Sequence, residues 1–387
     1  NVFIGLMAGF NYQSSQSGNI FIGASSGYSS STGFDNIFIG NGAGYNNTTG
    51  NVNNFMGSQA GFSNTTGSYN TFYGNQAGYS NTVATDNSFF GYTAGHSNIN
   101  GNSNTFLGKF AGTSNVAGSY NTAGGANALF SNISNYNTAF GWNALYTNTT
   151  GTDNVAMGEK ALFFNTVGNT NTAIGSFALT NSTGDNNTAV GRSALSTNTS
   201  GSNNTAIGNL ADVSSGSLTN ATAIGYATTA NASNKVRIGN AAVSVIEGQV
   251  NFTTTSDGRF KTNIKDDAPG LKLIMNLNPV TYNFQYEKFS KFLGEKDINQ
   301  TLLAQKEQKI EMGLIAQEVE KACSDLGIKV NNLVHIPETE KDNYSIAYSE
   351  LVVPLIKGMQ EQQKMIDELK KQVAELKNII GTTKGRH

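Results

Sequence analysis

The chain has 387 residues, 38% of them hydrophobic and 13% charged, with a formal net charge of −2. So even a balance gives no basic surface for nucleic acid and no electrostatic hold on a membrane. No apolar run nears the ~20 residues that span a bilayer, so membrane insertion is excluded for this segment. The chain opens in mid-repeat at Asn1, without a signal peptide, which points to a longer parent protein.

The charge is unevenly spread. Only five of the 24 Lys and Arg (Lys109, Lys160, Arg192, Lys235 and Arg237) precede residue 251, and seven of the 26 Asp and Glu. All four prolines (Pro269, Pro279, Pro337 and Pro354) lie downstream. Two regions on different physical plans are expected. We divide the chain into 1–250, a β-solenoid of repeats; 251–350, a small α/β domain; and 351–387, a coiled coil and tail.

The first region is indexed by one glycine. Gly23, Gly40, Gly57, Gly74, Gly91 and Gly108 step by 17, and Gly125, Gly141, Gly158, Gly175, Gly191, Gly208 and Gly225 follow at 17 or 16. Each closes a short unit such as "NTAIG" at 171–175, and Asn/Thr/Ser/Gly turns intervene. About fourteen β-favouring units of one length predict a stack of identical coils, a rod of roughly 65–70 Å at ~4.8 Å per coil. Two columns change together. Two residues before the glycine, Phe21 through Phe106 give way to Ala123 through Ala223; four after it, Gly27 through Gly112 give way to Leu129 through Leu195. Exchange of Phe and Gly for Ala and Leu roughly conserves volume, so the columns should meet inside the coil. The surface should be an uncharged one of Asn and Thr. These N-x-x-I-G units resemble the head repeats of trimeric autotransporter adhesins, which implies a trimer of parallel β-rolls.

At 253–265 the sequence "TTTSDGRFKTNIK" changes character. "RFKTNIK" reads as a strand, "GLKLIMNL" as a short helix, "VTYNFQY" and "EMGLIA" as strands, and "QEVEKACSDLG" as a helix ended by Gly327. Residues 287–310, polar and charged, read as an excursion from the core. Val352, Leu355, Met359, Gln362, Ile366, Leu369, Val373, Leu376 and Ile380 alternate steps of three and four, a heptad seam. Its β-branched a positions and Leu-rich d positions favour dimers by the general rule; a rod of β-rolls favours three chains.

Cys323 alone supports neither an intrachain disulfide nor a cysteine metal site, and reads as a small apolar residue on a helix. His96, His335 and His387 share no ligand spacing, so neither metal nor cofactor is expected. A serine hydroxyl becomes nucleophilic when a base takes its proton, and a lysine of lowered pKa can be that base. Ser256 and Lys261 have the chemistry but, along a strand, five residues put them on opposite faces; a turn at Gly258 is required to join them. By themselves they read as a polar linker with a solvated lysine.

The order S-D-G-R-F-K-T-N-I, N-P-V-T-Y-N-F, G-L-I-A-Q-E-V, Y-S-E-L-V-V-P-L-I-K and a terminal coiled coil resembles one family over about residues 253–380. It is the self-cleaving intramolecular chaperone of endosialidase tail spikes, tail fibres and neck appendages. The resemblance implies a domain that trimerises, aligns the upstream chains and cuts itself off. It places the nucleophile at Ser256, the general base at Lys261 and Asp257 beside the scissile bond. Asn263 stands where this family more often has an acid.

The expectation is a homotrimeric fibre, on a virion or at a cell surface, that reaches a host glycan or receptor. Its only chemistry would be one self-cleavage at Ser256. An uncleaved fibre with a permanent trimerisation cap, or the non-catalytic stalk of a polysaccharide-degrading spike, stays open. A glycosidase within the chain is disfavoured, since the upstream acids are single and scattered. A threonine column from Thr71 to Thr205 reads as a solvated face rather than an ice-binding array.

Overall fold

The computed structural model describes residues 1–250, 252–329 and 332–384. Asn251, where the second domain was expected to start, and His387 lie outside the described residues. Two compact units are present: Asn1–Ala241 with Phe289–Ile298, and Ala242–Lys288 with Asn299 onward.

In the first unit a three-residue strand precedes each indexing glycine, from Val2–Ile4 to Val236–Ile238. Fifteen such strands form one parallel sheet in sequence order. Register is one coil to the next: Phe21 opposes Phe38, and Ala173 opposes Ala189. This is a parallel β-solenoid. The glycine sets the strand length. Gly40 has φ +136, and a Cβ there would strike the carbonyl of Gly57 in the next coil.

The inward middle residue of nearly every strand is fully buried, as at Phe38, Phe106, Ala139 and Ala173. The phenylalanines stack face to face along the axis, 4.8–4.9 Å apart. The paired columns do meet in the Phe coils. A Cβ on Gly44 would lie 2.6 Å from the Phe38 ring, and one on Gly27 2.7 Å from Phe21. In the later coils Leu129, Leu145, Leu162, Leu179 and Leu195 are buried in the same core, at φ near +50. That backbone costs a non-glycine residue about 1–2 kcal/mol, and burial of a leucine contributes about 1.5–3 kcal/mol in return.

The expected asparagine surface is corrected by the structure. Two asparagine columns are internal. Asn36 and its repeats are 0–1% exposed, as are Asn47 and its repeats. Asn19 Oδ1 accepts from the Asn36 backbone N–H at 3.0 Å, and Asn36 Nδ2 donates to the Gly50 carbonyl at 2.9 Å. In the second column Asn64 Nδ2 donates to Asn47 Oδ1 at 2.7 Å and to the Gly67 carbonyl at 3.0 Å. A carboxamide carries a donor and an acceptor, so one per coil satisfies the backbone groups that a tight turn leaves over.

The residues 289–298 pack against the last coils of this unit. Lys296 Nζ lies 3.4 Å from buried Asp212, and Tyr226 donates its hydroxyl to Asp297 at 2.8 Å. Glu295 accepts from the Ala241 N–H at 3.1 Å, and Arg237 lies over the Phe289 ring.

The second unit is a small α/β core built on Leu273, Val319, Cys323, Leu333, Val334 and Leu351. Its helices are α1 (Leu271–Ile274), α2 (Tyr286–Leu293, which runs on into the 289–298 segment), α3 (Gln300–Glu307), α4 (Ala316–Asp325) and α5 (Val352–Lys384). Val280–Tyr282 pairs antiparallel with Glu311–Gly313. Gly327, at φ +67, follows α4 as expected. The 287–310 stretch leaves the second unit's core, with Phe289–Ile298 grouped in the first unit, and it is helical, holding most of α2 and all of α3; Asn299 caps α3 by accepting from Thr301 N–H. The Glu361 carboxylate accepts from the Leu271 N–H at 2.8 Å, joining α5 to α1. The heptad positions are uncovered: Met359 is 70% exposed and Leu369 58%.

Candidate functional site

The junction segment is not the expected strand. Residues Gly258–Phe260 form a single 3-10 turn, and the chain on either side is extended. The cause is local. Asp257 occupies the cap position and its side chain accepts from the Arg259 backbone N–H at 2.9 Å. The Arg259 guanidinium then closes on the same carboxylate, at 2.9 Å through Nε and 2.6 Å through Nη2. Gly258 is not in the left-handed region and a Cβ there would meet nothing within 4 Å, so the turn owes more to the Asp257–Arg259 clasp than to glycine.

That turn answers the facing problem. It brings Lys261 round so that its Nζ donates to Ser256 Oγ at 2.7 Å. Both side chains are exposed. Asp257 does not touch either; it holds the turn. The Arg259 hydrogen bonds, from the side chain first and the backbone second, keep the Asp257 carboxyl below its usual range. Asn263 adopts φ +56, a conformation that asparagine tolerates better than most residues.

Chemically, a hydroxyl held on an amine pairs a group that can attack with one that can accept its proton. The transfer requires the amine in its neutral form, since an ammonium has only donors. The sequence reading gave Arg259 no role; the D-G-R spacing, two residues apart across a turn, was the available signal. Among the described residues no group of three or more His, Cys, Asp and Glu is arranged to hold a metal, and no helix is long and apolar enough to cross a membrane.

No curated protein and no solved structure matches the chain. A family model does match, over residues 256–328 of the 387, and it begins on Ser256 itself. Its description is chaperone of endosialidase, so the chain carries that family's segment at its C-terminal end, preceded by a repeat β-solenoid.

Proposed function

We propose that the chain is a trimeric fibre whose C-terminal domain sets chain number and register and then cuts itself beside Ser256. The observation that carries this reading is the 2.7 Å contact between Lys261 Nζ and Ser256 Oγ at the first residue of the family match. Ser256 attacks an adjacent backbone carbonyl as its proton passes to Lys261; the peptide C–N bond breaks as Lys261 returns that proton to the leaving amine, and water later hydrolyses the ester. Association of three chains supplies the dry surroundings that a neutral lysine needs.

The solenoid explains why such a clamp is useful. Each coil pairs with the next through the same rungs, so a one-coil slip between chains loses contacts only at the ends. A non-repetitive trimer at one end fixes register before the coils close. The exposed seam of α5, from Met359 to Ile380, supports that role. Phage tail proteins carry this family's domain, which supports a virion or extracellular location; the fibre's target is a host glycan or receptor.

The deciding experiment is a denaturing gel of freshly expressed protein with solution mass alongside. Wild type should give two fragments, and Ser256→Ala one band of about 41 kDa. A stable full-length wild-type band would leave a fibre with a permanent trimerisation cap.

A further inference from the structure

One column of the solenoid sheet's outer face, the third residue of each strand, is apolar along its length, and the other, the first residue, is mostly threonine. In each of the fifteen strands the first and third residues point out, and neither column contains a charge. The third residue is hydrophobic in every strand but one. Tyr73, Leu107, Phe140, Met157, Ile174 and Ile207 are 39–56% exposed. The exception is Gly124, and the Phe140 ring fills the space a side chain there would take. The stripe is therefore unbroken. The exposed turns carry only shorter apolar runs, such as Ile99, Val116 and Ile133, or Tyr120 stacked on Tyr136.

We infer that this sheet face is where copies of the chain pack on one another, with the third-residue column at the centre of the contact. The inference rests on the trimeric reading and names its surface. Pitch is the first argument. Rungs recur at about 4.8 Å for some 70 Å, and a second copy presents the same ridges at the same spacing, so each side chain meets a groove at every rung. Area is the second. Two columns about 7 Å apart, with their side chains, make a strip roughly 10 Å wide, or about 700 Å² per copy, close to the ~800 Å² per partner of a stable interface; half of it is the apolar column and half mostly threonine, a mixture ordinary for interfaces. Symmetry is the third: three copies around an axis parallel to the rod can each turn this one face inward. A host glycan fits less well, since the third-residue column offers almost no hydrogen-bonding group.

Cysteine cross-linking of the full chain tests it. In a Cys323→Ser background, Met157→Cys and Ile207→Cys are compared with Val167→Cys, a control of similar exposure in a turn. Oxidation should join chains at 157 and 207 and not at 167, and nitroxides at the same sites should report shorter interchain distances on the strand face. Sedimentation in parallel separates the two readings. A trimer that fails to cross-link at 157 and 207, or links equally at 167, overturns the interface and leaves the trimer standing. A monomer at every concentration overturns both.

Discussion

Phe106 and Ala123 are register partners on adjacent strands, and the core changes composition between them. On one side a ring reaches across the coil to a glycine; on the other an alanine leaves that space to a leucine. The backbone path, sheet register and asparagine columns continue through the change. The coil thus tolerates two packings of one cavity, and the pair of residues is the unit that matters.

A coil should therefore be convertible. Leu162→Ala should cost about 2–5 kcal/mol of local stability by opening a cavity. Ala156→Phe alone should be worse, because Leu162 already fills the site. The double change Ala156→Phe with Leu162→Gly should recover most of the loss. A double-mutant cycle by thermal unfolding reads the coupling; additive losses would show that the two positions are independent.

The internal amides should be less replaceable than their surface-like composition implies. Asn154 donates to the Gly168 carbonyl and accepts from the Asn171 N–H. Asn154→Ala should leave buried groups unpaired, at about 1–3 kcal/mol each. Asn154→Asp should be harsher, since it loses the donor and buries a charge. Hydrogen exchange at the flanking coils should quicken in that order.

For the junction, Ser256→Ala and Lys261→Ala should each abolish cleavage and leave a folded assembly. Lys261→Arg should also abolish it, because a guanidinium stays protonated. Charged substitutions in the α5 seam, such as Leu369→Asp, should prevent assembly and cleavage together. Cleavage that persists in a chain sedimenting as monomer would separate the chemistry from assembly.

The Asp257–Arg259 clasp has a pH signature. Because the folded carboxyl titrates below its ordinary value, its contribution is complete above the unfolded pKa and is lost as pH falls through the folded one. Near neutral pH the turn should be closed. Arg259→Ala should move the Asp257 titration upward, read by carboxyl carbon chemical shift, and should slow cleavage by loosening the contact between Ser256 and Lys261.

The sequence made the solenoid legible because its period is carried by residues that backbone geometry forces, the glycines at φ near +136 above all. The Phe–Gly and Ala–Leu exchange was readable as volume. The asparagines were misread because polarity usually means surface, and only the rung-to-rung geometry shows that an internal carboxamide has every partner it needs. Ser256 and Lys261 were readable as residues, but their meeting was not: "RFKTNIK" has a strand's composition, and a two-residue clasp of Asp257 by Arg259 overrides it. The helices at 286–307 were hidden by their charge, with only Asn299 as a starting signal.

With the proposed cleavage beside Ser256, the segment 289–298 acquires a second role. It closes the final coils of the solenoid, yet it lies beyond residue 256 in the chain. Once the backbone is severed there, the plug and the rod it stops are different polypeptides, and what joined them through a peptide bond becomes an equilibrium. Lys296 on Asp212 and Tyr226 on Asp297 then act as a latch rather than an internal contact. Departure of the chaperone becomes a matter of ionic strength and time, and the last rungs of the fibre stay covered until it goes.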